Sequence, residues 1–175
     1  EVPLGTPMME LINDYCGGLY EGRTLQAVIP GGSSVPVMTP DEVAKATMDY
    51  ESINEVAASY LGSGGFIVMD DTVDLPEALT NLIRFYAHES CGQCTPCREG
   101  ADWMYKLLFR IEQGEGSMKD LDQLLEVAGS MGVMSGTTIC GLADGNNWAI
   151  RTIVNKFRGE FEARCKPHIV PVTVS

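Results

Sequence analysis

The chain has 175 residues, of which 45% are hydrophobic and 21% charged, a composition typical of a globular protein and not of a disordered or fibrous one. Its formal net charge of −12 has the wrong sign for holding a phosphate backbone, so we expect no nucleic-acid partner. No apolar run approaches the roughly 18 residues of a membrane-spanning helix, so we expect a soluble chain that reaches a membrane only through a partner.

The first 71 residues combine helix and strand patterns. Thr6-Pro7 precedes spaced apolar residues and the pair Gly17-Gly18, which predicts a short helix. Residues 24–29 and 66–69 predict strands, and residues 53–61 predict a helix between them. This segment carries 2 basic and 11 acidic side chains. The mixture predicts a small α+β domain over residues 1–71.

The remaining residues, 72–175, show mainly helical periodicity. Helices are predicted over residues 74–88, 99–113, 117–131 and 147–156, the last with an extension to Cys165. Short turns that contain Gly and Ser join them, which predicts an all-α, up-and-down four-helix bundle. An extended tail is predicted over residues 166–171. The fold class is therefore α+β, a small mixed domain followed by a helical one.

Four of the six cysteines carry the strongest chemical signal. Cys91, Cys94 and Cys97 lie within seven residues, and Cys140 lies far along the chain. Three thiolates on one tight loop and one from a distant loop can hold the corners of a [4Fe–4S] cubane, whose irons each take one thiolate. A tetrahedral Zn²⁺ usually takes two well-spaced pairs of ligands. The pattern favours the cluster, with zinc, free thiols and disulfides as alternatives.

The predicted helices place these cysteines at their ends. The triplet lies between a helix that ends near residues 88–90 and one that begins at Arg98 or Glu99. Helix N-termini present free N–H groups and partial positive charge, which favour an anionic, thiolate-ligated cluster. Cys140 precedes the last predicted helix. We therefore expect it at the same end of the bundle as the triplet.

Other residues receive structural interpretations. We interpret Cys16 and Cys165 as ordinary thiols. Arg98 either raises the reduction potential of the cluster by its charge or is a solvated residue at a helix start. The loop at residues 30–34 lacks a Walker lysine and the spacing of a dinucleotide fingerprint, which favours a tight structural or interface loop. We interpret Asp144-Gly145 as a turn with no catalytic role.

Two segments resemble a known family. Residues 89–100, ESCGQCTPCREG, and Thr138-Ile139-Cys140 resemble the iron–sulfur signature of the NADH- and FMN-binding flavoprotein subunits of respiratory NADH:quinone oxidoreductases and of related NAD-linked diaphorases. Residues 27–34, AVIPGGSS, resemble the family's soluble ligand-binding β-grasp domain. The resemblance covers nearly the whole chain. It implies a β-grasp domain over residues 1–71 and a [4Fe–4S]-binding bundle over residues 72–175.

The resemblance also implies a function in electron transfer. NADH would give a hydride to FMN, and the cluster held by Cys91, Cys94, Cys97 and Cys140 would take single electrons onward. In the family, a separate N-terminal domain binds FMN and NADH, and nothing in these residues resembles it. We therefore expect this chain to carry electrons as part of an NADH dehydrogenase holoenzyme and, alone, not to oxidise NADH.

The partners that the resemblance implies are other iron–sulfur subunits, one with a 2Fe–2S cluster and a larger one with several clusters. Electrons would pass through them towards quinone. The implied location is cytoplasmic, peripheral to the inner face of the membrane, or the mitochondrial matrix side in a eukaryote. Alternatives are the same role in an NAD-linked hydrogenase or formate dehydrogenase, a zinc-stabilised interaction module, and a small-ligand-binding domain over residues 1–71.

Overall fold

The structure is a computed structural model that describes residues 1–166. The chain divides into two compact units, Glu1–Asp74 and Leu75–Ser175, and the predicted boundary after residue 71 lies three residues earlier. Most of the predicted extended tail, from residue 167 onward, lies outside the described residues. Within residues 1–166, no helix is both long and apolar enough to cross a membrane.

The first unit contains two strands and three helical segments. Helix α1, Met8–Glu10, continues as a π-helical turn over Leu11–Tyr15. Strand β1, Leu25–Ile29, pairs antiparallel with β2, Ile67–Asp70, and Val28 lies opposite Val68. Helices α2, Pro40–Val43, and α3, Tyr50–Ala57, come between the strands. The core of this unit is formed by Met8, Ile12, Val28, Met38, Val43, Ala46, Ile53 and Ala57.

Helix α3 begins three residues before the predicted start, because its cap is a carboxylate. Asp49 lies at the N-cap, and its Oδ1 accepts a hydrogen bond of 2.6 Å from the N–H of Ser52. The helix ends where Ala58 adopts a left-handed conformation at φ 49°. The predicted end at Leu61 is therefore too late.

The glycine loop at residues 30–34 packs closely against the turn that precedes β2. The O of Gly31 accepts a hydrogen bond of 3.0 Å from the N–H of Ser63, and the N–H of Gly32 donates one of 2.7 Å to Gly65. A Cβ on Gly31 would come within 2.4 Å of backbone atoms of Leu61. The loop is therefore a tight backbone junction, where glycine is required by close approach.

The second unit is helical. Helix α4 spans Leu75–Glu89, α5 Thr95–Glu112, α6 Met118–Ser130, α7 Leu142–Lys156 and α8 Arg158–Glu162. Helix α5 packs against α4 and α6, and α7 packs against the same two helices. Their interior includes Leu79, Ile83, Met104, Leu108, Ile111, Leu121, Leu124, Ile150, Val154 and Phe161. The predicted combination of helices and strands is confirmed, and the two strands pair antiparallel.

Two of these helices begin earlier than the apolar pattern predicts. Helix α5 begins at Thr95 and not at Glu99, because Pro96 occupies an early position where a helix needs no N–H partner. Helix α7 begins at Leu142 and not at Asn147. Asp144-Gly145 is therefore part of a helix, and its interpretation as a turn is wrong.

The lengths of α5 and α6 determine that residues 131–141 lie near the loop that carries the cysteine triplet. The 18 residues of α5 rise about 27 Å from the cysteine triplet, and the 13 residues of α6, packed on α5, rise about 20 Å. A short connection joins α5 to α6, so α6 runs back along α5 towards the end of the unit where α5 begins. The segment between α6 and α7, residues 131–141, therefore lies at the same end of this unit as the triplet.

Candidate metal centre

The cysteine triplet surrounds the N-terminus of α5. Cys94 is the N-cap of the helix, with φ −89° and ψ 122°, and its O accepts a hydrogen bond of 2.9 Å from the N–H of Arg98. Cys97 lies in the first helical turn and is 8% exposed, whereas Cys91 is exposed. The triplet thus spans the start of α5, with Cys91 exposed before the helix and Cys97 buried in its first turn.

Cys140 arrives from the segment between α6 and α7. It lies two residues before Leu142, the first residue of α7, and it is exposed. The N–H of its neighbour Ile139 donates a hydrogen bond of 3.4 Å to Cys94 Sγ. This bond joins two segments that are 45 residues apart.

The four predicted ligands line one cavity. Its volume is about 120 Å³, and we call it the cysteine cavity. Its lining is formed by Cys91, Cys94, Cys97 and Cys140, together with Glu89, Ser90, Gln93, Thr138 and Leu142. Four thiols are the donor set of a [4Fe–4S] cluster, so the side chains around this cavity fit that group chemically.

Ser90 connects the end of α4 to the buried cysteine. Its N–H donates to Tyr86 O at 3.1 Å, and its Oγ lies 3.4 Å from Cys97 Sγ. The same Oγ accepts a hydrogen bond of 3.4 Å from the N–H of Gly92. Ser90 therefore contacts both the triplet loop and one of the predicted ligands.

Arg98 holds the triplet loop from the outside. Its Nη1 donates a hydrogen bond of 2.7 Å to Gly92 O, and its Nε donates one of 2.8 Å to Glu99 Oε1. Its side chain is 48% exposed. The guanidinium is therefore partly solvated and also hydrogen-bonded to the turn between Cys91 and Cys94, and its effect on the reduction potential stays a prediction.

The charge around α5 favours an anionic group. The first turn of α5 contains no acidic residue. Free N–H groups and the helix dipole place partial positive charge at that end. A cluster held by thiolates would carry net negative charge, which the N-terminus of α5 would stabilise and the carboxylate of Glu89 in the cavity lining would oppose.

Sequence reasoning missed Asp144, which orders the segment that carries Cys140. Asp144 is 5% exposed. Its Oδ2 accepts a hydrogen bond of 2.8 Å from the N–H of Val133, and its Oδ1 accepts one of 3.2 Å from the N–H of Met134. No sequence pattern indicated this role, because the partners of Asp144 are backbone N–H groups of an irregular segment.

The other two cysteines have different surroundings. Burial raises the pKa of the Cys165 thiol, and the carboxylates of Asp120 and Glu162 raise it further. Its Sγ donates to Phe161 O at 3.4 Å. A raised pKa disfavours the thiolate that a metal needs. Cys16 belongs to the first unit, where it lines a separate groove of about 550 Å³.

The arrangement of donors is not that of a mononuclear site. Within residues 1–166, no three His, Cys, Asp or Glu side chains are grouped as the ligands of a single ion would be. Four thiolates on one zinc, with Zn–S bonds of about 2.3 Å, would have their sulfur atoms about 3.8 Å apart.

Comparison with known proteins identifies similar chains. Residues 77–164 match the family model described as the NADH-ubiquinone oxidoreductase-F iron-sulfur binding region. The F subunit of NADH-quinone oxidoreductase of Rickettsia bellii (strain OSU 85-389) is 44% identical over 165 residues, which are 94% of this chain and 39% of that relative. The corresponding subunit of Rickettsia rickettsii (strain Sheila Smith) is 44% identical over 171 residues, 97% of this chain and 39% of that relative. The chain thus spans about two fifths of the length of these relatives.

A solved structure shares the fold. The crystal structure of an NAD⁺-reducing [NiFe]-hydrogenase in the H₂-reduced state matches with a TM-score of 0.79 and 27% sequence identity. The match covers 96% of this chain and 27% of that chain. The same fold therefore occurs within a larger hydrogenase chain.

Proposed function

This chain belongs to the family of the NADH-ubiquinone oxidoreductase-F iron-sulfur binding region, whose cofactor is a [4Fe–4S] cluster, and we propose that Cys91, Cys94, Cys97 and Cys140 are its ligands. The observation that carries the proposal is the cysteine cavity, which all four of these thiols line. When bound, the cluster accepts and releases one electron at a time.

The spacing of the four cysteines and the family match favour a cluster over zinc. A cubane takes one thiolate on each of its irons, so its four ligands stand further apart than those of one ion. The family model that matches residues 77–164 is described as an iron-sulfur binding region. The zinc-stabilised interaction module is therefore the weaker of the two hypotheses.

The chain's own residues would hold and orient the ligands. Arg98 fixes the turn between Cys91 and Cys94 through Gly92 O, and Asp144 fixes the segment before Cys140. Cys97 is nearly buried, whereas Cys91 and Cys140 are exposed. The burial of Cys97 would limit access of water to its sulfur.

For the larger protein, we propose a place in electron transfer from NADH. FMN and NAD(H) would be bound by a domain that these 175 residues do not include, and electrons would continue through further iron–sulfur subunits towards quinone. The chain would then work in a complex peripheral to the inner face of a membrane. The names of the NADH-quinone oxidoreductase relatives, at 44% identity, support this role.

A second candidate is the same role in an NAD-linked hydrogenase. The fold match to the NAD⁺-reducing [NiFe]-hydrogenase supports it, at 27% identity. The higher identity of the NADH-quinone oxidoreductase relatives favours the quinone-linked complex.

At the level of the fold, we propose that α4 to α7 form a four-helix bundle and that the first unit is a β-grasp domain.

Cysteine variants of the full chain test the ligand set. After anaerobic reconstitution with iron and sulfide, the wild type should hold about four irons and four sulfides, and Cys140→Ser should lose most of them. Cys165→Ser is the matched control, because its thiol bonds to Phe161 O, and it should keep the full content. Equal iron content in the wild type and Cys140→Ser, or a colourless protein with one zinc, would reject the proposal.

A further inference from the structure

The hydroxyl of Ser90 is a candidate for control of the cluster's reduction potential. Its Oγ lies within hydrogen-bond distance of a sulfur of the cysteine cavity, 3.4 Å from Cys97 Sγ. Thr138 also lines the cavity, but its Oγ1 donates to Cys140 O at 3.3 Å. Proximity to the cavity alone therefore does not produce such a contact.

The direction of the hydrogen bond follows from the state of the sulfur. A thiolate that binds iron has no proton and can only accept, so the hydroxyl must donate. The Oγ of Ser90 already accepts from the N–H of Gly92, which leaves its hydrogen free to point at Cys97 Sγ. Successive hydrogen bonds polarise one another, so the contact from Gly92 strengthens the donor.

Ser90 is held in place from both sides. Its own N–H is bonded to Tyr86 O at the end of α4, and its side chain is bonded to the triplet loop. The donor is therefore fixed before any electron arrives and needs no reorganisation. A preorganised donor stabilises added negative charge more than a mobile one does.

The burial of Cys97 increases the effect. Cys97 is 8% exposed, so water competes little for its sulfur and the local dielectric is low. An added electron increases the negative charge shared by the thiolates, and a hydrogen-bond donor favours that reduced state. The N–H of Ile139 acts in the same direction on Cys94 Sγ, at 3.4 Å.

We propose, building on the [4Fe–4S] assignment above, that the Ser90 hydroxyl donates to Cys97 Sγ and raises the reduction potential of the cluster. Ser90 is then a positioning and tuning residue that acts through a ligand. The backbone N–H of Ile139 is a second donor, to Cys94 Sγ. Together they supply one donor to each of two ligands from two different segments of the chain.

A redox titration of the reconstituted full chain, followed by electron paramagnetic resonance, tests this role. Ser90→Ala should shift the equilibrium between oxidised and reduced cluster about tenfold towards the oxidised form, which is about 59 mV lower for a one-electron couple. Ser90→Thr keeps a hydroxyl and should stay near the wild-type potential. Thr95→Val is the matched control, because it removes an exposed hydroxyl between two ligands that makes no bond to sulfur.

A cluster in Ser90→Ala at the wild-type potential, or the same shift in Ser90→Thr as in Ser90→Ala, would overturn the proposal. If Ser90→Ala fails to retain the cluster, Ser90→Gly removes the same hydroxyl and should show the lower potential. Loss of the cluster from both variants would assign the hydroxyl to assembly and overturn tuning. A wild type that takes up no cluster would instead reject the proposed function.

Discussion

At the scale of single residues, the cavity depends on side chains that bind no metal. Asp144 accepts two backbone N–H groups from the segment before Cys140, and it is nearly buried. A Cβ on Gly132 would come within 2.4 Å of its Oδ1, so the segment closes tightly over the carboxylate. Asp144 is therefore one of the groups that hold the segment leading to the fourth thiol, together with Thr137 and Asn147.

Replacing Asp144 should destabilise the chain. In Asp144→Asn the amide NH₂ faces one of the two N–H groups, so a buried donor loses its acceptor and the free energy of unfolding falls by about 1–3 kcal/mol. Urea unfolding of the full chain measures this. Asp102→Asn is the control, because its exposed ion pair with Lys106 should change stability by about 0.5 kcal/mol or less. Equal effects of the two variants would contradict the role given to Asp144.

The sequence predicts the four cysteines but not the residues that support them. The spacing of Cys91, Cys94 and Cys97 places them on one loop, and the position of Cys140 before a predicted helix predicts that it lies at the same end of the bundle. Ser90 and Asp144 act through backbone groups of loops, and loop conformation has no short periodic signal. Their roles require coordinates.

At the scale of elements, helix type was easier to predict than helix ends. The apolar periodicity of α4 and α6 predicts both helices to within one residue at each end. The capping box of α6, in which Ser117 and Asp120 exchange hydrogen bonds, gives a local signal for its start. The starts of α5 and α7 carry cysteines, prolines, glycines or buried polar residues, so apolar periodicity begins after the helix does.

The π-helical turn after α1 was not predictable. Residues 11–15 have the same apolar spacing as an α-helix, and the sequence gives no sign of the wider hydrogen-bond pattern seen at Cys16 N–H to Leu11 O, 3.0 Å. Pro7 lies at the N-cap and not at the first helical position.

The tight loop of the first unit makes a prediction at this scale. Gly31→Ala would place a Cβ within 2.4 Å of backbone atoms, which cannot move as a side chain can, and should lower stability by about 1–3 kcal/mol. Circular dichroism during thermal or urea unfolding measures the loss. Gly129→Ala in α6 is the contrast, because its Cβ meets open space and should stabilise by about 0.5–1 kcal/mol. A neutral Gly31→Ala would refute the close approach.

At the scale of the whole molecule, acid stability depends on the first unit. A hydrogen bond from Thr47 and then one from the N–H of Ser52 lower the pKa of Asp49 below 3.8. The side chain and then the N–H of Thr72 lower the pKa of Asp70 in the same way. Because the folded values are depressed, both carboxylates stabilise the fold above the unfolded pKa, and this stabilisation is lost as pH falls through the folded values.

The free energy of unfolding should therefore decrease as the pH is lowered below about 3.8. Asp49→Asn should show a shallower acid dependence than the wild type, since one linked group is removed. Urea unfolding at a series of pH values measures both slopes. Asn54→Ala, which removes an exposed side chain that carries no ionisable group, is the control and should keep the wild-type slope. Identical slopes for Asp49→Asn and the wild type would contradict this account.

The fold and the chemistry of the molecule come from different parts of the sequence. The apolar periodicity predicts helices that pack around a core. The cysteine pattern predicts the ligands of an iron–sulfur cluster at one end of the second unit. The partners of the larger protein leave no such local pattern in these residues. They are proposed only from the names of relatives, of which this chain spans about two fifths.

Mössbauer spectroscopy of the full chain, reconstituted anaerobically with ⁵⁷Fe and sulfide, tests the central assignment most directly. The account predicts that nearly all bound iron belongs to one kind of cubane cluster, at about four irons per chain. Iron bound as isolated ions, or a protein that binds one zinc in preference to iron, would contradict it.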